Sequence, residues 1–383
     1  MRQVVCISTT NYYPIPTRKQ NVMNRLSDAE IIYIDPPVIW IAPLKDKNCK
    51  ERLTKWKQPG EKVQDNVTVY AAPPVLPFFN KFRWINKINQ KRQAAFIRKQ
   101  IKDYGFEKPY VWCYSPTSCD AVDLIPKQGL IYDCVDRHSA YKGMINPAVV
   151  DKQEEDLARK ADYVFCTAEG LRETLEQYND NVSMIPNGAA YEIFSQVAEG
   201  EDKPVDPEKP VFGFVGMLQE CIDYDCIEAL AKKYPDGEVR LIGRTLPGVD
   251  LTHLEQYPNV KFCGLVPQKE LPAKIKEFDV CLNVFREGRL SKDVSPLKFY
   301  EYLATGKPVV STREPLQVAD FADVVHVASG LEDFMAKCEE ALHETEPTRS
   351  EKAKKRMEYG RQCSWDERVK QMETILKDKG IFK

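Results

Sequence analysis

The chain reads as an α/β protein built from two parallel-sheet units, and three observations carry that reading. Apolar runs of four to six residues alternate with longer helical stretches over most of the sequence, the pattern left by strands buried on both faces. The alternation is interrupted once, at Ala198 to Pro210 (AEGEDKPVDPEKP), a polar, acidic, proline-rich stretch with the composition of a linker. At 383 residues, 43% hydrophobic and 29% charged, the chain is long enough for two domains of ordinary size.

In order, the strand candidates before the linker are Val4–Ser8, Ile31–Asp35, Val67–Ala71, Tyr110–Tyr114, Leu130–Val135, Tyr163–Thr167 and Ser183–Ile185. Helical stretches open at Thr17, Asn80, Pro147 and Glu169. This predicts a first domain over residues 1–197 and a linker over 198–210. A second domain follows over 211–360, with strands at Val211–Val215, Val239–Ile242, Val260–Cys263, Val280–Val284, Val309–Ser311 and Val324–Val327. The tail, Trp365 to Lys379, reads as an amphipathic helix. The first strand–helix junction, STTNYYPIPTRKQN, contains no glycine, which argues against an NAD-type dinucleotide site there. Arg18, Lys19 and Gln20 open the helix instead, positioned to meet either an acceptor phosphate or solvent.

Composition narrows the function. A net charge of −2 gives no argument for nucleic acid. No run approaches the ~20 apolar residues of a membrane-spanning helix, and the first apolar run, VVCIS, has the length of a strand rather than a signal peptide. The twelve cysteines are scattered, without a Cys-x-x-Cys, as expected of reduced thiols in a cytoplasmic protein. The four histidines are not spaced as metal ligands, so no essential metal is expected. From Asn66 to Lys102 there is no acidic residue. Lys81, Arg83, Lys87 and Lys91 are interleaved there with Phe78, Phe82, Trp84, Ile85 and Ile88. That pattern suits the surface of an anionic membrane; the competing reading is a solvated helix with a partly apolar core face.

Most of the chemistry lies between Ser291 and Thr312 (SKDVSPLKFYEYLATGKPVVST). Ser295 sits where an N-cap belongs and Pro296 at the first helical position. Thr305-Gly306-Lys307-Pro308 ends the helix and a buried strand follows. A helix N-terminus favours an anionic group, Lys298 adds a full charge, and Glu301, one turn on, can accept from a sugar hydroxyl. Elsewhere, Ile131-Tyr132-Asp133-Cys134-Val135-Asp136-Arg137-His138 is a strand ending in acids and a histidine. Asp136, then His138, are the candidates for acid–base work at the strand end, with helix capping as the alternative role of Asp136; Asp133 reads as structural. Asp223-Tyr224-Asp225 has the form of a metal motif but falls at a helix start, where capping is expected.

The segment from Asp293 to Val310 resembles the donor-binding helix of GT-B glycosyltransferases, with Asp293 and Glu301 standing where many retaining, family 4-like members carry Glu-x7-Glu. SPLKFYEYLA followed by GKPVV is similar to bacterial surface-polysaccharide transferases, including those assigned to teichuronic acid assembly. The resemblance implies two facing Rossmann-like domains, with residues 361–383 crossing back onto the first. It implies a nucleotide diphosphate sugar, UDP-linked, held by Gly216, Arg244, Asp293, Ser295, Lys298 and Glu301. Arg18 and the basic surface (Lys81, Arg83, Lys87, Lys91) would then face the acceptor or the inner leaflet of the plasma membrane. The stretch after Gly216, LQECIDYDC, lacks the basic residues of many retaining members, a departure similar to the xanthan-type glucuronosyltransferases, so the stereochemistry stays open. The expectation is a peripheral, hexosyl-transferring, metal-independent enzyme acting on a polysaccharide or lipid-linked acceptor. The alternatives are an epimerase or hydrolase on the same fold, or a non-catalytic nucleotide-sugar-binding partner.

Overall fold

The computed structural model describes every residue except 45–48, 142, 144, 201–203, 289–291, 345–347 and 349. Part of the expected linker and the first residue of the Ser291–Thr312 stretch therefore lie outside the described residues. The chain divides into two compact units, Met1–Pro186 with Val369–Lys383, and Asn187–Arg368.

The first unit holds an eight-stranded sheet. Its strands are β1 (Arg2–Ile7), β2 (Ala29–Asp35), β3 (Glu61–Gln64), β4 (Val67–Ala71), β5 (Tyr110–Cys113), β6 (Gly129–Cys134), β7 (Tyr163–Cys166) and β8 (Val182–Met184). The order is β3-β4-β2-β1-β5-β6-β7-β8, parallel except for β3 on β4. The central strands β5, β6 and β7 are buried at every residue, which is why they read as unbroken apolar runs. Strand β3 was not expected. Its sequence, EKVQ, is mostly charged and exposed, as suits an edge strand that must not pair with another chain. The C-terminal segment Val369–Lys383 belongs to this unit, whereas residues 361–368 of the expected segment stay with the second. Glu373 accepts from the Ser27 N–H at 2.9 Å and pairs with Arg2 at 3.3 Å, while Tyr110 packs on Phe382 and donates to the Ile381 carbonyl.

The second unit holds six parallel strands: β9 (Val211–Val215), β10 (Glu238–Ile242), β11 (Val260–Gly264), β12 (Val280–Asn283), β13 (Val309–Thr312) and β14 (His326–Ala328). Their order is β11-β10-β9-β12-β13-β14. The unit begins at Asn187, earlier than the expected edge at residue 197. Residues before the linker are committed to it: Phe194 is fully buried, with Lys298 over its ring, and Ala189 bridges to Ser364. The second unit also extends past the expected end at 360, to Arg368.

Candidate functional site

In the first unit a cavity of about 310 Å³ opens beyond the carboxyl ends of β1, β2, β5 and β6, where parallel α/β sheets bind ligands. Asp136 and His138 both line it, with Lys19 and Tyr141. Asp136 does not cap the short helix that follows: that helix (His138–Ala140) has Arg137 at its N-cap. The carboxylate instead accepts from the Tyr141 hydroxyl at 3.0 Å. His138 is 9% exposed, and burial pushes its imidazole down to about 4. Its ring is hydrogen-bonded to the Tyr114 backbone, whereas Nε2 has no partner among the described residues. The bond therefore runs from Nδ1, and Nε2 presents a bare lone pair in the neutral ring.

Two first-unit expectations change. Arg18 is 2% exposed and is not an acceptor-facing cation. Its Nε donates to both oxygens of the fully buried Asp133 at 3.0 Å, and its Nη1 to the carbonyls of Ile185 and Pro186. Asp133 has the structural part expected of it. Arg83 is not a free surface cation either: it bonds to Asp120 at 2.8 and 2.9 Å and to Asp156 at 2.9 Å. Of the apolar residues in the basic stretch, Ile85 is buried, whereas Trp84, Lys87, Ile88 and Lys91 fall on one outward face of the helix Arg83–Asp103, with Lys81 exposed just before it.

In the second unit, three strand ends converge. Gly216 follows β9, and its N–H donates to the Ile242 carbonyl at 2.9 Å. Gly243 follows β10 at φ +151, so close to that turn that a Cβ would lie 1.8 Å from the Gly216 carbonyl oxygen; a side chain is excluded there. Its N–H donates to the Gly264 carbonyl at the end of β11. Arg244, next in the chain, is exposed with no described side-chain partner. The helix Leu297–Thr305 is tied to this turn because the Val215 N–H donates to the buried Tyr302 hydroxyl at 2.6 Å.

That helix starts one residue later than expected, with Pro296 at the N-cap and no side-chain cap. The Ser295 hydroxyl makes no cap bond to this helix; it accepts from the Asn187 N–H at 3.0 Å, while the Asn187 amide donates to the Ser295 carbonyl at 2.7 Å. Asp293 is 3% exposed and engaged within the protein. Glu301 is fully buried rather than open. Its Oε2 accepts from Lys298 at 2.5 Å and its Oε1 from Gln268 at 3.2 Å; burial raises its carboxyl pKa and Lys298 opposes the rise. Gln268, which follows β11, was not singled out in the sequence. Asp223 caps the helix Tyr224–Lys233 by accepting from the Asp225 N–H, as expected.

Residues 224–374 match the family model described as "Glycosyl transferase-like". A Bacillus subtilis (strain 168) protein, TuaH, whose name assigns it provisionally to teichuronic acid biosynthesis as a glycosyltransferase, is 26% identical over 330 residues, covering 80% of each chain. Among solved structures, a sucrose-phosphate synthase from Thermosynechococcus elongatus superposes with a TM-score of 0.71 at 12% identity, over 99% of both chains. An Anabaena protein, HepE, solved with UDP and glucose, superposes with a TM-score of 0.65 at 14% identity, over 98% of this chain and 99% of its own. Those structures establish a GT-B fold, and the family match over residues 224–374 and the curated relative make this chain similar to glycosyltransferases.

Proposed function

We propose that the enzyme transfers a hexosyl group from a UDP-linked sugar to a glycan or lipid-linked acceptor in cell-surface polysaccharide synthesis, at the cytoplasmic face of the plasma membrane. The observation that carries the donor assignment is the Lys298–Glu301 pair in the first turn of a helix anchored to the Gly216 turn. A buried carboxylate whose one ion-pair partner in the structure is a partly exposed lysine is poised to exchange that partner. On donor binding Lys298 moves to the diphosphate, and Glu301 is left to accept from sugar hydroxyls. Arg244 adds a cation at the neighbouring strand end. With the leaving group neutralised by side chains and the helix end, no metal is needed. Asp293 and Ser295 support this helix from within the fold rather than touching the donor.

On the first unit, Asp136 and the His138 Nε2 lone pair are the groups that take the acceptor hydroxyl proton as its oxygen attacks the anomeric carbon. Membrane association falls to the outward face of the helix Arg83–Asp103, where Trp84 and Ile88 lie among Lys87 and Lys91. The name of the TuaH relative supports an envelope polysaccharide as product. The test is UDP release from a panel of UDP-sugars, with and without bacterial membranes as acceptor source. The expected result is acceptor-dependent release from one donor. Interconversion or hydrolysis of the sugar without acceptor would favour an epimerase or hydrolase; donor binding with no turnover on any acceptor would favour a non-catalytic partner.

A further inference from the structure

The polar groups around the first-unit cavity are unequally satisfied. Among the described residues two acceptor atoms there lack a hydrogen bond: His138 Nε2, on a side chain nine-tenths buried, and Asn80 Oδ1. Asp136 offers carboxylate oxygen beside them. All three call for hydroxyl donors. Lys19 is the opposite case. It is 5% exposed, lines the same cavity, and its Nζ lies 5.6 Å over the Tyr114 ring. Among the described residues it makes no ion pair or hydrogen bond. Asp133, one of the acids acting on it, has both oxygens committed to Arg18. Burial lowers the Lys19 pKa, while Asp136 and Asp133 oppose that shift. An ammonium kept this far from water without a direct ion pair or hydrogen bond is costly to the fold and is retained where it meets an anion.

We propose that this cavity receives an acidic sugar, its hydroxyls on His138, Asn80 and Asp136 and its carboxylate or phosphate on the Lys19 ammonium. The volume, about 310 Å³, is at the small end of ligand pockets and suits a single sugar ring. The inference rests on the glycosyltransferase reading and narrows it: the acceptor's reacting residue, or the one next to it, is acidic. Lys19 acts here as a binding residue and not in proton transfer.

The experiment is a calorimetric titration of the full chain with glucuronate, glucose 6-phosphate and glucose, with UDP titrated in parallel. At least one acidic sugar should bind about tenfold or more tighter than glucose, the margin expected of a charge-assisted contact. Preference for glucuronate assigns the anion as carboxylate, and preference for glucose 6-phosphate as phosphate. Lys19→Gln should erase the preference with UDP affinity unchanged. The proposal is overturned if wild-type protein binds neither acid better than glucose, a comparison that needs no variant, or if Lys19→Gln keeps the preference. Absence of UDP binding by wild type would count against the donor assignment instead.

Discussion

His138 gives a prediction whose size follows from its surroundings. The imidazole ordinarily titrates near 6.5 and is pushed down to about 4 in the folded protein by burial, with Lys19 adding to the drop and Asp136 opposing it. Between those two values the unfolded chain binds more protons than the folded one. Stability contributed by the neutral ring is therefore complete above pH 6.5 and lost as the pH falls toward 4. Integrating the two titrations gives a loss of about 2 kcal/mol between pH 7 and pH 5. His138→Gln keeps an N–H to offer the Tyr114 backbone and removes the titration. Urea denaturation of both proteins at pH 5, 6 and 7 isolates the effect, because the other carboxylates contribute to both and cancel in the difference. Wild type should lose its advantage over His138→Gln as the pH drops. A pH-independent difference, with an imidazole NMR titration near 6.5, would refute the buried neutral ring and with it the proposed lone pair at Nε2.

Other outcomes follow from the same geometry. Asp136→Asn should keep donor affinity and lower kcat about 100-fold or more; near-normal kcat by steady-state kinetics would remove Asp136 from the chemistry. Gly243→Ala would set a Cβ 1.8 Å from the Gly216 carbonyl oxygen, and should lower unfolding free energy by about 2–4 kcal/mol; an unchanged denaturation midpoint would show that the turn can open freely. Replacing Lys81, Lys87 and Lys91 by Glu should abolish co-sedimentation with anionic vesicles, which in wild type should itself fade as salt shortens the screening length to about 8 Å. Equal binding by the variant, or none by wild type, would rule out this face as the membrane contact. Arg83 is left intact in that variant because Asp120 and Asp156 depend on it.

What the sequence showed and what it hid divide along a physical line. Strand positions were legible because burial on both faces forces a continuous apolar run, as in YVWC and YVFC. The edge strand Glu61–Gln64 was not, since an exposed edge carries charge and leaves no such run. Linker composition marks where the chain is polar, not where packing begins, so the second unit was expected to start later than Asn187. Site residues were found by type and placement, but their partners lie far off in sequence. Arg18 meets Asp133 across 115 positions, Asn187 meets Ser295 across 108, and Gln268 meets Glu301 across 33. No local pattern encodes such pairings, so the sequence put Arg18 and Ser295 in ligand roles and left Gln268 unmarked. The unpaired state of Lys19 and of His138 Nε2 is likewise a property of the folded neighbourhood alone.

The most direct test of the account is donor binding by the second unit's lysine–glutamate pair. UDP-sugars would be titrated calorimetrically into wild type, Lys298→Met and Glu301→Gln, with circular-dichroism melts to confirm that each is folded. Wild type should bind a UDP-sugar and both substitutions should weaken binding about tenfold or more, since each removes a charged contact to the diphosphate or the sugar. Equal affinity in all three proteins, or no nucleotide sugar bound by wild type, would contradict it.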